Sequence, residues 1–322
     1  MPHHRSVSRR EFLISSSRAL AGAALGAGEN DTAAAGPVID IHQHTNYAGR
    51  TDEQLIEHQK RMGVTRTVLL PAGKFYGLDA QCGGNLSVVS LARQHPESFL
   101  FFANEVADLP EARREIRWFL RRGAIGIGEQ KFKVACDSPS IERLAGLAAD
   151  FGVPMLLHFQ HGVYNTGIEN FHKTLAKFPK THFIGHAQTW WANVDKNHSQ
   201  AVLYPKTKVT PGGITDRLLS DYPNMHGEMS AGSGLNFLTR DEDHARAFIE
   251  CHQDKLMFGS DCDDRVGSGP ACDGAQILAG IRRLAPNPAA ARKILSENAK
   301  RLLRLSAANS LSKSFTSGTA GL

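Results

Sequence analysis

Short apolar runs alternate with amphipathic stretches along this chain, and five of the runs end in a residue able to bind a metal or move a proton. Val38-Ile39 leads into Asp40-Ile41-His42-Gln43-His44, and Gly123–Gly128 leads to Glu129 and, two residues on, Lys131. Val153–Leu157 ends in His158, Thr181–Gly185 in His186, and Lys255–Ser260 in Asp261. Mostly apolar runs of this length, each followed by a polar loop and a helical pattern, read as buried parallel strands. Eight are expected, near 37–43, 66–71, 98–104, 123–131, 153–158, 181–186, 224–230 and 255–261.

Helical patterns fall between them. Thr51 or Asp52 caps one that stops at Gly63, and Leu109–Arg122 is amphipathic, with Ile116, Phe119 and Leu120 on one face. Ser138-Pro139 opens a helix closed by Gly152, the usual order of proline at the start and glycine at the end. Asp241–His252, Gly274–Leu284 and Pro288–Leu305 follow. About 270 ordered residues suit one (β/α)8 TIM barrel of roughly 250 residues. The rival, a doubly wound open sheet, lacks the Gly-x-Gly-x-x-Gly expected after its first strand. In a barrel all these strand ends converge on the C-terminal face, where active sites are built.

His42 and His44, at i and i+2, share one strand face. Neutral imidazole is the commonest metal ligand, and open zinc sites use two or three. A chance His-x-His is common in a chain with 15 histidines, so the weight lies in the recurrence of ligand-type residues at strand ends. His158 and His186 each end an apolar strand where leucine or isoleucine would pack better; the bland alternative is a buried histidine bonded to a carbonyl.

The ordered set His42-x-His44, Glu129 or Lys131, His158, His186 and Asp261 resembles the amidohydrolase superfamily. Ser296-Glu297-Asn298-Ala299-Lys300-Arg301-Leu302-Leu303 resembles the last helix of its subgroup related to aminocarboxymuconate-semialdehyde decarboxylase. The similarity spans about residues 37–305. It implies a (β/α)8 barrel with one or two divalent cations, zinc first, at His42, His44, Glu129, His158, His186 and Asp261, on the C-terminal ends of the strands. Asp261 would take a proton from water and return it to the leaving group, and His186 would polarise the substrate. A carbamylated Lys131 is the alternative to Glu129 as bridging ligand. Hydrolysis of an amide, ester or lactone is the leading activity. Decarboxylation of an unsaturated or aromatic acid is the runner-up, and a non-catalytic metal- or ligand-binding protein is the third reading.

The longest loop expected at the pocket mouth follows His186, and its Trp190-Trp191 suggests a flat or apolar wall for a small, cyclic or aromatic substrate. Arg265 could hold a substrate carboxylate; Gln160, His161, Tyr47, Asn46 and Glu228 are weaker candidates. His3, His4, His58, His95, His172, His182, His226, His244 and His252 fall in the leader, in helices or at strand starts and are set aside.

Ser8-Arg9-Arg10-Glu11-Phe12-Leu13 resembles a twin-arginine export signal, with a weakly apolar stretch to Gly28 and a small-residue cleavage site at Ala33-Ala34-Ala35. Residues 1–35 are therefore expected to be a signal peptide that engages the twin-arginine export machinery, 36–305 a periplasmic or otherwise exported domain, and 306–322 a disordered tail. The leader is too short and polar to span a membrane. Of the net charge of +5, four arginines against three acids in the leader account for +1, leaving about +4 scattered over the domain. That pattern does not indicate a nucleic-acid partner. Five cysteines without a Cys-x-x-Cys suggest no zinc knuckle or disulfide scaffold. Export would permit one disulfide, Cys262 and Cys272 being the nearest pair.

Overall fold

The computed structural model describes residues 36–73 and 82–305. The expected signal peptide and tail, over 1–35 and 306–322, lie outside the described residues.

All eight expected strands form, mostly shorter than their apolar runs: β1 Ile39–Gln43, β2 Arg66–Leu69, β3 Phe99–Phe101, β4 Ile127–Gln130, β5 Met155–His158, β6 Phe183–His186, β7 Met225–Met229 and β8 Leu256–Phe258. The helices are α1 Asp52–Met62, α2 Asn85–Gln94, α3 Ala112–Leu120, α4 Pro139–Phe151, α5 Phe171–Lys177, α6 Gln188–Ala192, α7 Ile214–Asp221, α8 Ala231–Arg240, α9 Glu242–His252, α10 Asp273–Leu284, α11 Pro288–Arg292 and α12 Asn298–Leu302. Thr51 caps α1 in a capping box with Gln54, and α1 stops at Gly63, whose φ of 75° is left-handed. Ser138, Pro139 and Gly152 frame α4 as the sequence signals imply. The single last helix expected from Pro288 is α11 and α12 joined by a π turn over Lys293–Glu297.

Every strand pairing is parallel, in two runs, β1-β2-β3 and β4 through β8. The β3–β4 junction is bridged by Ala103 opposite Ile127. At the β8–β1 seam side chains supplement the backbone bond from Asp261 N–H to the His42 carbonyl. Asp40 Oδ1 accepts the backbone N–H groups of His42 (3.0 Å) and Ser260 (2.9 Å), while Oδ2 accepts the Ser260 hydroxyl (2.5 Å) and the Gln59 amide (2.9 Å). Four donors satisfy a fully buried carboxylate that would otherwise be costly. The architecture is that of the expected (β/α)8 barrel.

Parallel strands buried on both faces need two apolar layers. The outer, between strands and helices, holds Leu69, Phe101, Ile127, Leu157, Phe183 and Phe258. The inner holds Ile39, Val68, Leu100, Phe102, Leu156, Ile184 and Met257, closed by Ala299 and Leu303 of the last helix. Leu156 and Ile184 lie two residues before His158 and His186, so the inner layer is the floor beneath those histidines. None of the helices in the described residues is long and apolar enough to cross a membrane.

Candidate metal centre

The strand ends bring five of the six expected ligands together directly, and the loop after β8 supplies the sixth. His44 lies one residue past β1, and its Nδ1–H donates to the Leu70 carbonyl at 2.7 Å. His42 Nδ1–H donates to Glu228 Oε1 at 2.8 Å, and His186 Nδ1 lies 2.7 Å from the same oxygen. Ser230 Oγ adds a bond to that oxygen at 2.9 Å and lies 3.0 Å from His186 Nδ1. With each Nδ1 anchored on an acceptor, the Nε2 lone pairs are free to face a common cavity. His42 Nε2 and His44 Nε2 stand 3.1 Å apart, two acceptors that need a cation or a proton between them.

Glu129, at the end of β4, divides its carboxylate between the two halves of this cavity. Oε2 lies 3.6 Å from both His42 Nε2 and His44 Nε2; Oε1 lies 2.5 Å from His158 Nδ1 and 3.4 Å from His186 Nε2. Asp261 spans the same gap, Oδ1 facing His44 Nε2 at 3.4 Å and Oδ2 facing His186 Nε2 at 3.5 Å. Its backbone N–H is tied to the His42 carbonyl at 2.8 Å, which holds it at a φ of 40°, a left-handed conformation that aspartate tolerates. Gly259 lets this loop pass close to the pocket, since a Cβ there would lie 2.5 Å from Glu228 Oε2.

Burial opposes charge on every member, yet the groups polarise one another. Burial raises Glu228, but the His186 and His42 charges bring its carboxyl down to about 2. Glu129 is likewise raised by burial and driven well below the carboxylate range, chiefly by His158. His44 loses basicity to burial and regains more from Cys82 and Asp261, ending at about 10. His158 stays below its usual value because burial outweighs Glu129. Tyr47 packs edge-on to His44 with ring centroids 5.0 Å apart, and Asp261 above all pushes its phenol up.

Several expectations need correction. Lys131 falls one residue beyond β4, where strand alternation no longer applies, and its Nζ faces the Tyr164 ring 5.7 Å away; Glu129 alone occupies the site. Trp190 and Trp191 are not on a loop at the mouth. They lie in α6, 0% and 2% exposed, where Trp190 stacks on Phe159 and Trp191 on Phe237. Strand parity explains the placement: His186 faces inward, so Gly185 faces outward, and Trp190 fills the space its missing side chain leaves. Arg265 is exposed on the loop after Asp261 and makes no contact with the cluster. Cys262 and Cys272 have their sulfurs 3.6 Å apart and are free thiols.

Among the weaker candidates, Gln160 Oε1 reaches His158 Nε2 at 3.3 Å, whereas Asn46 is exposed and His161 bonds Thr189 through its backbone. Glu228 has one sequence signal, inward parity at the end of β7, and its role as shared anchor is visible only in three dimensions. A cavity of about 530 Å³ between α2 and α3, lined by Arg114 and Trp118 among others, touches none of the cluster.

The family profile described as Amidohydrolase matches residues 39–305, nearly the whole described domain. The chain belongs to the amidohydrolase family. Members of this family are enzymes that bind divalent metals, and the groups His42–His44–Asp261 and Glu129–His158–His186 are fit to hold them. The amidohydrolase chain is similar in fold to an uncharacterised TIM-barrel protein of Bordetella bronchiseptica (16% identity, 83% of this chain and 98% of that chain covered, TM-score 0.60). It is also similar to 2,6-dihydroxybenzoate decarboxylase from Rhizobium (13%, 83% and 98%, TM-score 0.53). A third similar structure is a Pseudomonas putida protein assigned as a 2-pyrone-4,6-dicarboxylic acid hydrolase (15%, 83% and 97%, TM-score 0.57). No curated protein is matched by the sequence.

Proposed function

We propose that this amidohydrolase uses a pair of divalent cations, zinc first, to hydrolyse an ester, lactone or amide bond in a small cyclic carboxylic acid. The observation that carries this reading is the division of Glu129, one oxygen toward His42 and His44 and the other toward His158 and His186, so that Glu129 would help to hold a cation on either side. Fit to cations is supported by buried atoms without a hydrogen-bond partner that face the cavity, His186 Nε2 and Asp261 Oδ1. Cations held there supply Lewis acidity and lower the pKa of water.

The protein's own residues do the rest. Asp261 Oδ1 accepts a proton from the attacking water, and the carboxyl returns it to the leaving group. Tyr47, whose phenol Asp261 pushes up, stands beside it at the mouth. Glu228 holds His42 and His186 in one tautomer through the reaction. The cyclic acid as substrate rests on the names of the similar hydrolase and decarboxylase, the tryptophans no longer bearing on it.

Those names also favour a second reading, decarboxylation on the same ligands. The two separate in ¹⁸O-water with a panel of cyclic and aromatic acids. Hydrolysis puts solvent oxygen into the organic product; stoichiometric CO₂ without label uptake would replace the hydrolase reading with the lyase one.

The Arg9-Arg10 motif supports export through the twin-arginine machinery, with a mature chain beginning near Gly36. Replacing both arginines with lysine should leave the protein in the cytoplasm, and unchanged export would refute this.

A further inference from the structure

A second cluster of ligand-type side chains lies outside the pocket. His58 of α1, Cys262 and Asp264 of the loop after β8, and Cys272 at the head of α10 converge, their ligand atoms all within 4.8 Å of one another. His58 and Cys272 are fully buried and Cys262 is 4% exposed. Two thiols, an imidazole and a carboxylate in an apolar surround have no packing rationale, and they come from three separate segments.

We propose that these four residues form a structural metal site, filled by zinc, that fastens the Asp261 loop to α1 and α10. Three of the six ligand–ligand edges lie within a few tenths of an ångström of those of a tetrahedron. Bonds of about 2.3 Å to sulfur, about 2.0–2.1 Å to nitrogen and about 2.0–2.2 Å to oxygen imply edges of about 3.8 Å between sulfurs, about 3.5 Å between sulfur and nitrogen, and about 3.3 Å between nitrogen and oxygen. The observed edges are 3.6 Å for Cys262 Sγ–Cys272 Sγ, 3.5 Å for Cys272 Sγ–His58 Nε2 and 3.7 Å for His58 Nε2–Asp264 Oδ2. A disulfide needs its sulfurs about 2.03–2.05 Å apart and leaves the imidazole and carboxylate unexplained.

The surroundings are those of held ligands. The Ala275 N–H donates to Cys272 Sγ at 3.3 Å, a bond that suits thiolate sulfur. Val266 and Gly267 N–H groups hold Asp264 Oδ2 at 3.0 and 2.6 Å. Met62 Sδ, 3.8 Å from Cys272 Sγ, walls off one side with a soft apolar group. Four protein ligands and no open position mark a structural rather than a catalytic site. Its position gives it a purpose, because Cys262 directly follows Asp261. Arg50 grips the same loop through the carbonyls of Cys262 and Asp264, both at 2.8 Å. The loop that carries the proton-transfer carboxylate is thus clamped from behind.

The test uses the full chain, purified with reductant and loaded with Co²⁺. A sulfur-to-cobalt charge-transfer band is expected in the near ultraviolet; the six pocket ligands are all nitrogen and oxygen, and the thiol beside His44, Cys82, is removed by working in a Cys82→Ser background. The band should persist in His42→Ala and vanish in Cys272→Ser, with one equivalent of metal lost. Should Cys272→Ser fail to fold, the unaltered protein still decides: Cys262 and Cys272 must resist alkylation until a chelator removes the metal. Absence of the band, its survival in Cys272→Ser, alkylation indifferent to chelator, or a Cys262–Cys272 disulfide in protein isolated with thiol trapping would each overturn the proposal.

Discussion

One peptide bond separates Asp261, which faces the strand-end pocket, from Cys262, which faces the sulfur-rich cluster behind it. The pocket is built of imidazole and carboxylate and leaves His186 Nε2 and Asp261 Oδ1 without a hydrogen-bond partner. The cluster behind gathers four ligand-type groups within 4.8 Å of one another, with Met62 and the start of α10 closing it off. An open set of borderline donors suits chemistry on a substrate; a closed set with thiols suits fixing the chain. The same loop therefore serves both needs by turning adjacent side chains to opposite sides.

The hardest strike at this division is Asp261→Asn. It should lower turnover by about 10²–10⁴-fold, the usual weight of general acid–base catalysis, while the thiolate–cobalt band remains. Equal damage to turnover from Asp261→Asn and Cys272→Ser, each with full pocket metal, would mean the two sides are one site. Next comes Trp190→Ala, expected to destabilise by about 3–5 kcal/mol as an aromatic removed from a packed core, read by denaturant unfolding. If Trp190 lined the substrate pocket instead, the variant would raise KM and leave stability alone.

Glu228→Gln sharpens the division. It should weaken pocket metal by about 10–100-fold in chelator competition and spare the sulfur-bound equivalent. The same residue sets a pH signature. Its folded carboxyl lies at about 2, below the ordinary value near 4.5, so its contribution to stability is complete above about 4.5 and is lost as pH falls toward 2. Acid unfolding of metal-free protein should move to higher pH in Glu228→Gln; an unchanged midpoint would contradict the anchoring role. Smallest is Arg265→Ala, expected within about 0.5 kcal/mol in stability and without effect on KM.

The barrel, and the meeting of its ligand-type strand ends in one pocket, were legible because both follow from local chemistry. Eight apolar runs must become eight buried strands, and a histidine that ends such a run must face whatever the strands enclose. What was illegible depended on which face of an element a residue takes once a strand has ended. Lys131 kept its parity with Glu129 only on paper, since β4 stops at Gln130. Trp190-Trp191 looked like loop because the helix that holds them is five residues long, too short for periodicity to register. His58 reads along the chain as a helical histidine, and nothing in the sequence brings it near Cys262 and Cys272. Such meetings arise only when the last loop returns to the first helix.

Trp190 also carries a constraint on how this chain can change over generations. A Cβ on Gly185 would sit 2.4 Å from the indole, and one on Gly227 3.1 Å from its Nε1, so the three positions share one volume. A side chain can arise at Gly185 only after Trp190 has been replaced by something smaller, and the intermediate with a hollow there is the weaker protein. The reverse order passes through a clash on the outer face of the strand that presents His186. The order of mutations, and not merely their sum, decides whether the strand that presents this histidine survives.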